Sequence, residues 1–138
     1  MLRRLLPAAL VALGLGFVAC DSSNHTSPAR YQVNVDFMGM GPHIGQDLYL
    51  RVWHAGTGVE VARIEIEPVL QSNFTVPLPD ILIIGERYYV DFWADVNGND
   101  AYDAPPTDHA WRRTIGPVAG DVTLSFTHDT NWWDIRWP

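Results

Sequence analysis

Apolar side chains recur at every second residue in short runs along this 138-residue chain, a spacing that demands pleated strands rather than helices. Tyr31, Val33, Val35 and Phe37 share one parity, with Gln32, Asn34 and Asp36 between them, so a half-buried strand is expected over 31–37. Leu48, Leu50 and Val52 repeat the pattern over 47–54, Tyr88, Val90, Phe92 and Ala94 over 88–94, and Val122, Leu124 and Phe126 over 121–128. Ala55-Gly-Thr-Gly58 reads as a hairpin turn, because its glycines adopt positive φ at small steric cost. In the returning segment, 59–67, the apolar parity slips between Val61 and Ala62, which predicts a bulge near Val61 to Arg63. Residues 73–76 read as a short strand that Pro77 and Pro79 bring to an edge or exit, 80–85 as a turn of helix or a buried connector, and 111–115 as another short strand. About seven strands with turns at near-regular spacing imply an all-β fold, an antiparallel β-sandwich of prealbumin-like or Ig-like type.

The first twenty residues follow another rule. Arg3 and Arg4 precede an apolar run from Leu5 to Ala19, shorter than a membrane-spanning helix and interrupted by Pro7, which reads as a secretory signal peptide over 1–19. Phe17-Val18-Ala19-Cys20 resembles a bacterial lipobox, and the resemblance implies cleavage before Cys20 and acylation of its thiol, a palmitate-type membrane anchor. Polar residues 21–29 then form a flexible tether, and 30–138 is the size of one domain. The expected location is exported and lipid-anchored at the cell membrane or the outer membrane, facing periplasm or exterior. Asp21, directly after the cysteine, resembles an inner-membrane retention signal. A single cysteine leaves no internal disulfide, so the core alone must hold the domain.

Charge narrows the partners. Nine arginines and no lysine stand against 16 acids, for a net charge of −7, and loss of Arg3 and Arg4 with the signal takes it to −9. A surface without a basic cluster cannot neutralise phosphates, so nucleic acid is not an expected partner and small cations are.

The acids concentrate in one loop. Asp95-Val-Asn97-Gly-Asn99-Asp100-Ala101-Tyr102-Asp103, with Asp108 beyond, offers alternating oxygen ligands where Gly98 and Pro105-Pro106 exclude regular structure. It resembles the D-x-[DN]-x-[DN]-G calcium loop of EF-hands and dockerins. It is closer still to the D-x-N-x-N/D-G-x-x-D loops of prealbumin-like and Cna-B-like sandwich domains in bacterial surface proteins. That resemblance implies calcium held by Asp95, Asn97 and Asn99 at loop positions one, three and five, the Ala101 carbonyl at seven and Asp103 at nine. Asp100 replaces the usual glycine at position six, Pro106 replaces the usual glutamate at twelve, and Asp100 or Asp108 would supply the missing carboxylate. The alternative is an ion-free loop, since Asn, Asp and Gly also stabilise turns by bonding to their own backbone.

Two further constellations are on the page. His43, His109 and His128 each fall at a strand end, where one pole of a sandwich would gather them into a copper or zinc site, with Met38 or Met40 as a soft additional ligand for cuprous ion. Six tryptophans, Trp111 and Trp133 among them, allow a carbohydrate-binding module that stacks sugars, although a disulfide-free core also needs such side chains. Asp108 beside His109 offers an acid–base pair, but neither G-x-S-x-G nor H-E-x-x-H is present, so binding rather than turnover is expected. The reading is a lipid-anchored envelope sandwich with a structural calcium loop that presents Asp108, His109 and Trp111 to a glycan or an envelope protein. A periplasmic copper- or zinc-binding protein and a sugar-binding module are its alternatives.

Overall fold

The computed structural model describes residues 26–138. The expected signal peptide, the expected lipidation at Cys20 and most of the expected tether lie outside the described residues. Seven strands follow in order: β1 (Arg30–Met38), β2 (Leu48–His54), β3 (Glu60–Ile66), β4 (Phe74–Ile83), β5 (Tyr88–Ala94), β6 (His109–Ile115) and β7 (Val122–Thr127). They form a β-sandwich with one sheet ordered β4-β1-β7 and the other β3-β2-β5-β6. Every pairing is antiparallel except β1 with β7, which run parallel with Val33 opposite Val122 and Met38 opposite Thr127. That pair brings the ends of the first and last strands together at one pole.

Alternation explains the core. Val33, Val35 and Phe37 of β1, Leu48, Leu50 and Val52 of β2, and Tyr88, Val90 and Phe92 of β5 are all buried between the sheets. An aromatic plug lies towards the pole where β1 and β7 end: Phe92 meets Phe37 at 5.1 Å and Phe126 at 4.8 Å, and Trp111 stacks on Phe92 at 5.5 Å between ring centroids. Each such ring removes roughly 150–250 Å² from water, worth about 4–6 kcal/mol before entropy is charged against it. The plug is the floor on which the polar end of the molecule rests.

The expected bulge is present: Val52 pairs with Ala62 and Trp53 with Glu60, so Val61 is the extra residue of β3. The segment after Asn73 takes the edge alternative and lengthens the expected strand. Instead of leaving at Pro77 and Pro79 it continues as one ten-residue strand to Ile83, with Val76 and Leu78 buried and both prolines exposed. β4 is an edge strand, where a missing N–H faces no neighbour. A bulge at Pro79 to Ile81, with Asp80 at φ +53°, places three residues opposite Gln32, and because two extra residues keep the parity, Leu82 points inward as Val76 and Leu78 do. Of residues 80–85, expected as a helical turn or a buried connector, 80–83 are therefore strand and Ile84 and Gly85 a turn.

The outer face of the larger sheet is also covered. Asp91 is fully buried and accepts bonds from Arg51 Nη2 at 2.9 Å, Arg112 Nε at 2.7 Å and Trp53 Nε1 at 2.8 Å, so its charge is matched by two guanidinium groups. The C-terminal segment lies over this face. Ile135 is buried beside Tyr49, Trp93 and Ala110, and its carbonyl accepts from Arg51 at 3.2 Å. Trp93 and Asp91, at outward parity in β5, are thus interior because the tail forms a third layer.

Candidate metal centre

Three loops and strand ends converge where β1 and β7 finish. His43 closes a short 3-10 turn, Gly41–His43, whose preceding residue, Met40, is pinned by its N–H to Ser72 O at 2.8 Å. His109 opens β6, paired with Ala94 of β5. His128 follows β7 and donates its backbone N–H to Met38 O at 2.9 Å, a bond that the parallel β1–β7 register makes available. The three imidazoles each offer a ring nitrogen, and these atoms all lie within 4.8 Å of one another. Such a cluster can hold a metal ion.

Hydrogen bonding orders the rings. His43 Nδ1 lies 2.7 Å from Gln46 Oε1; an amide oxygen only accepts, so Nδ1 carries the proton and Nε2 of the neutral ring is a free lone pair. His128 Nε2 stands 3.1 Å from that lone pair, which makes it the donor in the metal-free protein. An outer partner of this kind, fixing tautomer and ring direction, is the usual companion of a metal-binding histidine. Gln46 is held in turn by its N–H to His43 O at 3.0 Å and by its carbonyl, which accepts from Val69 N at 2.9 Å. His109 Nδ1 is buried without a hydrogen-bond partner, an unmet demand on one member of the cluster.

Aromatic rings complete the chamber. Trp111 is fully buried, and its ring centroid is 5.6, 6.2 and 5.8 Å from those of His43, His109 and His128, so one indole lies almost equally far from all three imidazoles. Its Nε1–H donates to Asp129 Oδ1 at 3.1 Å, which fixes its orientation. Trp132 stacks on His109 at 4.1 Å with 20° between planes. Burial, then the neighbouring imidazoles, pushes His43 below the ordinary histidine value, with the Gln46 bond opposing; burial, then His128, does the same to His109. Both shifts favour the neutral, ligating form at neutral pH. A zinc–nitrogen distance of about 2.0–2.1 Å in a tetrahedral arrangement separates ligand nitrogens by roughly 3.3–3.4 Å, near the observed His43–His128 spacing.

The acidic loop is organised differently. Asp95 Oδ1 accepts from Gly98 N at 2.7 Å and Asn99 N at 3.3 Å, and its Oδ2 from Asp100 N at 2.9 Å. Asp108 accepts from Val96 N at 3.0 Å and Asp103 N at 2.8 Å, and desolvation holds its carboxyl above the usual value. Asp103 Oδ2 accepts from the amide groups of Asn97 at 2.8 Å and Asn99 at 2.9 Å, while Asn99 Oδ1 takes the N–H of Ala101 at 3.0 Å. Asp100 sits at φ +58°, the left-handed turn expected of a sixth-position residue. Amide hydrogens thus reach oxygens of Asp95, Asn97, Asn99 and Asp103, four of the five residues that the resemblance assigns to calcium.

Among the residues expected to face a partner, Asp108 and Trp111 are fully buried and His109 is half-buried. Trp111 therefore cannot present its ring to a glycan and is instead a wall of the histidine chamber; Trp133, 59% exposed, is the ring that faces solvent. Met40 is buried and Met38 is 39% exposed, and their carbonyls hold the backbones of His43 and His128. Sequence reasoning found the three histidines but missed Gln46 and Trp132. No spacing marks Gln46 as an outer partner, and Trp132 reaches His109 only through the path of the tail. His54, the remaining histidine of the domain, lies at the far end of β2, where its Nε2 meets Glu86 at 2.8 Å. No family model, no curated protein and no solved structure matches the chain.

Proposed function

We propose that this chain is an exported, lipid-anchored envelope protein whose β-sandwich binds a transition-metal ion, copper or zinc, through His43, His109 and His128. The convergence of three imidazole nitrogens within 4.8 Å carries the reading. Imidazole is a ligand for both metals. The neutral state favoured by burial and the Gln46 bond that leaves the His43 Nε2 lone pair towards His128 are what a receiving site needs. The protein's role on this reading is to hold or hand over the ion. The discriminating experiment is metal analysis after equilibrium dialysis of the folded domain against copper and zinc. One bound ion is expected, lost in His128→Ala; equal binding by that variant would refute the site.

A second reading, calcium in the Asp95 to Asp103 loop, is favoured by the left-handed backbone at Asp100, which supplies the sharp turn such loops require. Thermal unfolding in calcium against chelator tests it, with a calcium-dependent rise expected if the loop takes the ion.

A further inference from the structure

We propose that the ion this centre is built to select is cuprous copper, held by His43, His109 and His128 against the indole of Trp111. The inference rests on the metal-binding reading above and names its ion. Three features of the chamber favour a soft monocation over a divalent one.

The first is charge. The cluster consists of three imidazoles and contains no carboxylate. Asp129, next to His128 in sequence, spends its oxygens on Arg113 Nη2 at 3.0 Å, Trp111 Nε1 at 3.1 Å and Asn131 N at 2.9 Å. With His43 only 1% exposed, a dication would bring two uncompensated charges into a partly desolvated space, whereas a cuprous ion brings one.

The second is donor number. Zinc completes a tetrahedron, with water or substrate as the fourth ligand where the protein supplies three, and cupric ion prefers a tetragonal set of nitrogen and oxygen donors. Here one side of the triad is closed by Trp111, packed between the imidazoles, Phe92 at 5.5 Å and Phe126 at 5.3 Å. An indole offers no lone pair to a metal, and its Nε1–H is already committed to Asp129. A filled-shell cuprous ion is satisfied by a trigonal set of imidazoles and needs nothing from that side.

The third is the wall itself. A cation over the face of a desolvated indole gains from its π system, and the Trp111 ring centroid lies 5.6, 6.2 and 5.8 Å from those of the three ligand rings. Met40, buried in the adjoining core with its carbonyl bonded to His43 N, puts a polarisable residue rather than an acid next in the chain to the 3-10 turn.

The test is an anaerobic titration of the folded domain with cuprous ion buffered by a chromogenic chelator, with zinc and cupric ion run in parallel, read by bound metal and tryptophan fluorescence. The expected result is a single cuprous ion that quenches the fluorescence and survives about a hundredfold excess of zinc. His128→Ala should abolish it. Trp111→Phe, which keeps a packed ring with a weaker π face, should weaken cuprous binding about two- to fivefold. Histidine-dependent binding of zinc or cupric ion as tight as that of cuprous ion would overturn this choice of metal while leaving the metal centre standing. Binding of no metal, or binding that ignores His128→Ala, would overturn both.

Discussion

Two polar clusters share one end of this sandwich, and they are held together by different means. The loop from Asp95 to Asp108 is dense in ligand-type residues, yet its carboxylates close on neighbouring amides: Asp95 alone receives three backbone N–H groups. The three histidines lie 66 and 19 residues apart along the chain, yet their ring nitrogens converge, and His109 Nδ1 is left unpartnered. A short loop whose acids meet their own backbone satisfies itself. Side chains delivered by separate strands meet only where the sheets place them, and local turn chemistry cannot quench them.

Four measurements would break or sharpen that contrast. The largest effect is expected for His128→Ala, which removes a ligand from the half-buried side of the triad. Copper or zinc affinity should fall by more than the roughly 10–100-fold that loss of an outer partner costs, as read by chelator competition. Retention of affinity would make the convergence incidental packing.

Next in size is Asp95→Ala. Three amides lose their acceptor at a site only 3% exposed, so unfolding free energy should drop by about 2–4 kcal/mol in chelator, measured by denaturant titration. A loss that appears only when calcium is present would replace the amide account of the loop with an ionic one.

Gln46→Leu should leave the three ligands in place but release His43 from its fixed tautomer. About a tenfold loss of metal affinity is expected, with the fold intact by circular dichroism. Gln46→Glu, which preserves an acceptor for Nδ1–H, should recover most of it, and failure to recover would argue that the position matters only for packing.

The smallest effect concerns acidity in the metal-free protein. The folded-state values of His43 and His109 lie below the unfolded value of 6.5, so the unfolded chain binds more protons as pH falls through and below that value. Stability from these groups is therefore present above pH 6.5 and lost progressively on acidification through the depressed folded values. Melting temperatures at neutral and mildly acidic pH should show the decline, and His43→Gln with His109→Gln should flatten it.

The strands were legible because alternation is local. Val33, Val35 and Phe37 point one way whatever their partners, and the parity slip at Val61 announced a bulge that the β2–β3 register contains. Pro77 and Pro79 left edge and exit open, and the order β4-β1-β7 decides for the edge, which lets the strand run on through both prolines to Ile83. Trp111 did mislead. Its ring turns between the sheets onto Phe92 and Phe126, whereas the tail covers the opposite face, with Trp133 N–H bonded to Ala110 O at 2.8 Å.

What the amino-acid sequence determined by itself is the class of fold and the chemistry on offer: period-two burial yields strands, and imidazoles at strand ends are ligands in waiting. Which strands pair was decided only in three dimensions. The parallel contact of β1 with β7 brings Met38 against His128, and with it the two ends of the domain to His43. The physical reason is range: side-chain direction follows from neighbouring residues, whereas the meeting of His43, His109 and His128 is the sum of sheet register, a pinned 3-10 turn and a buried aromatic floor.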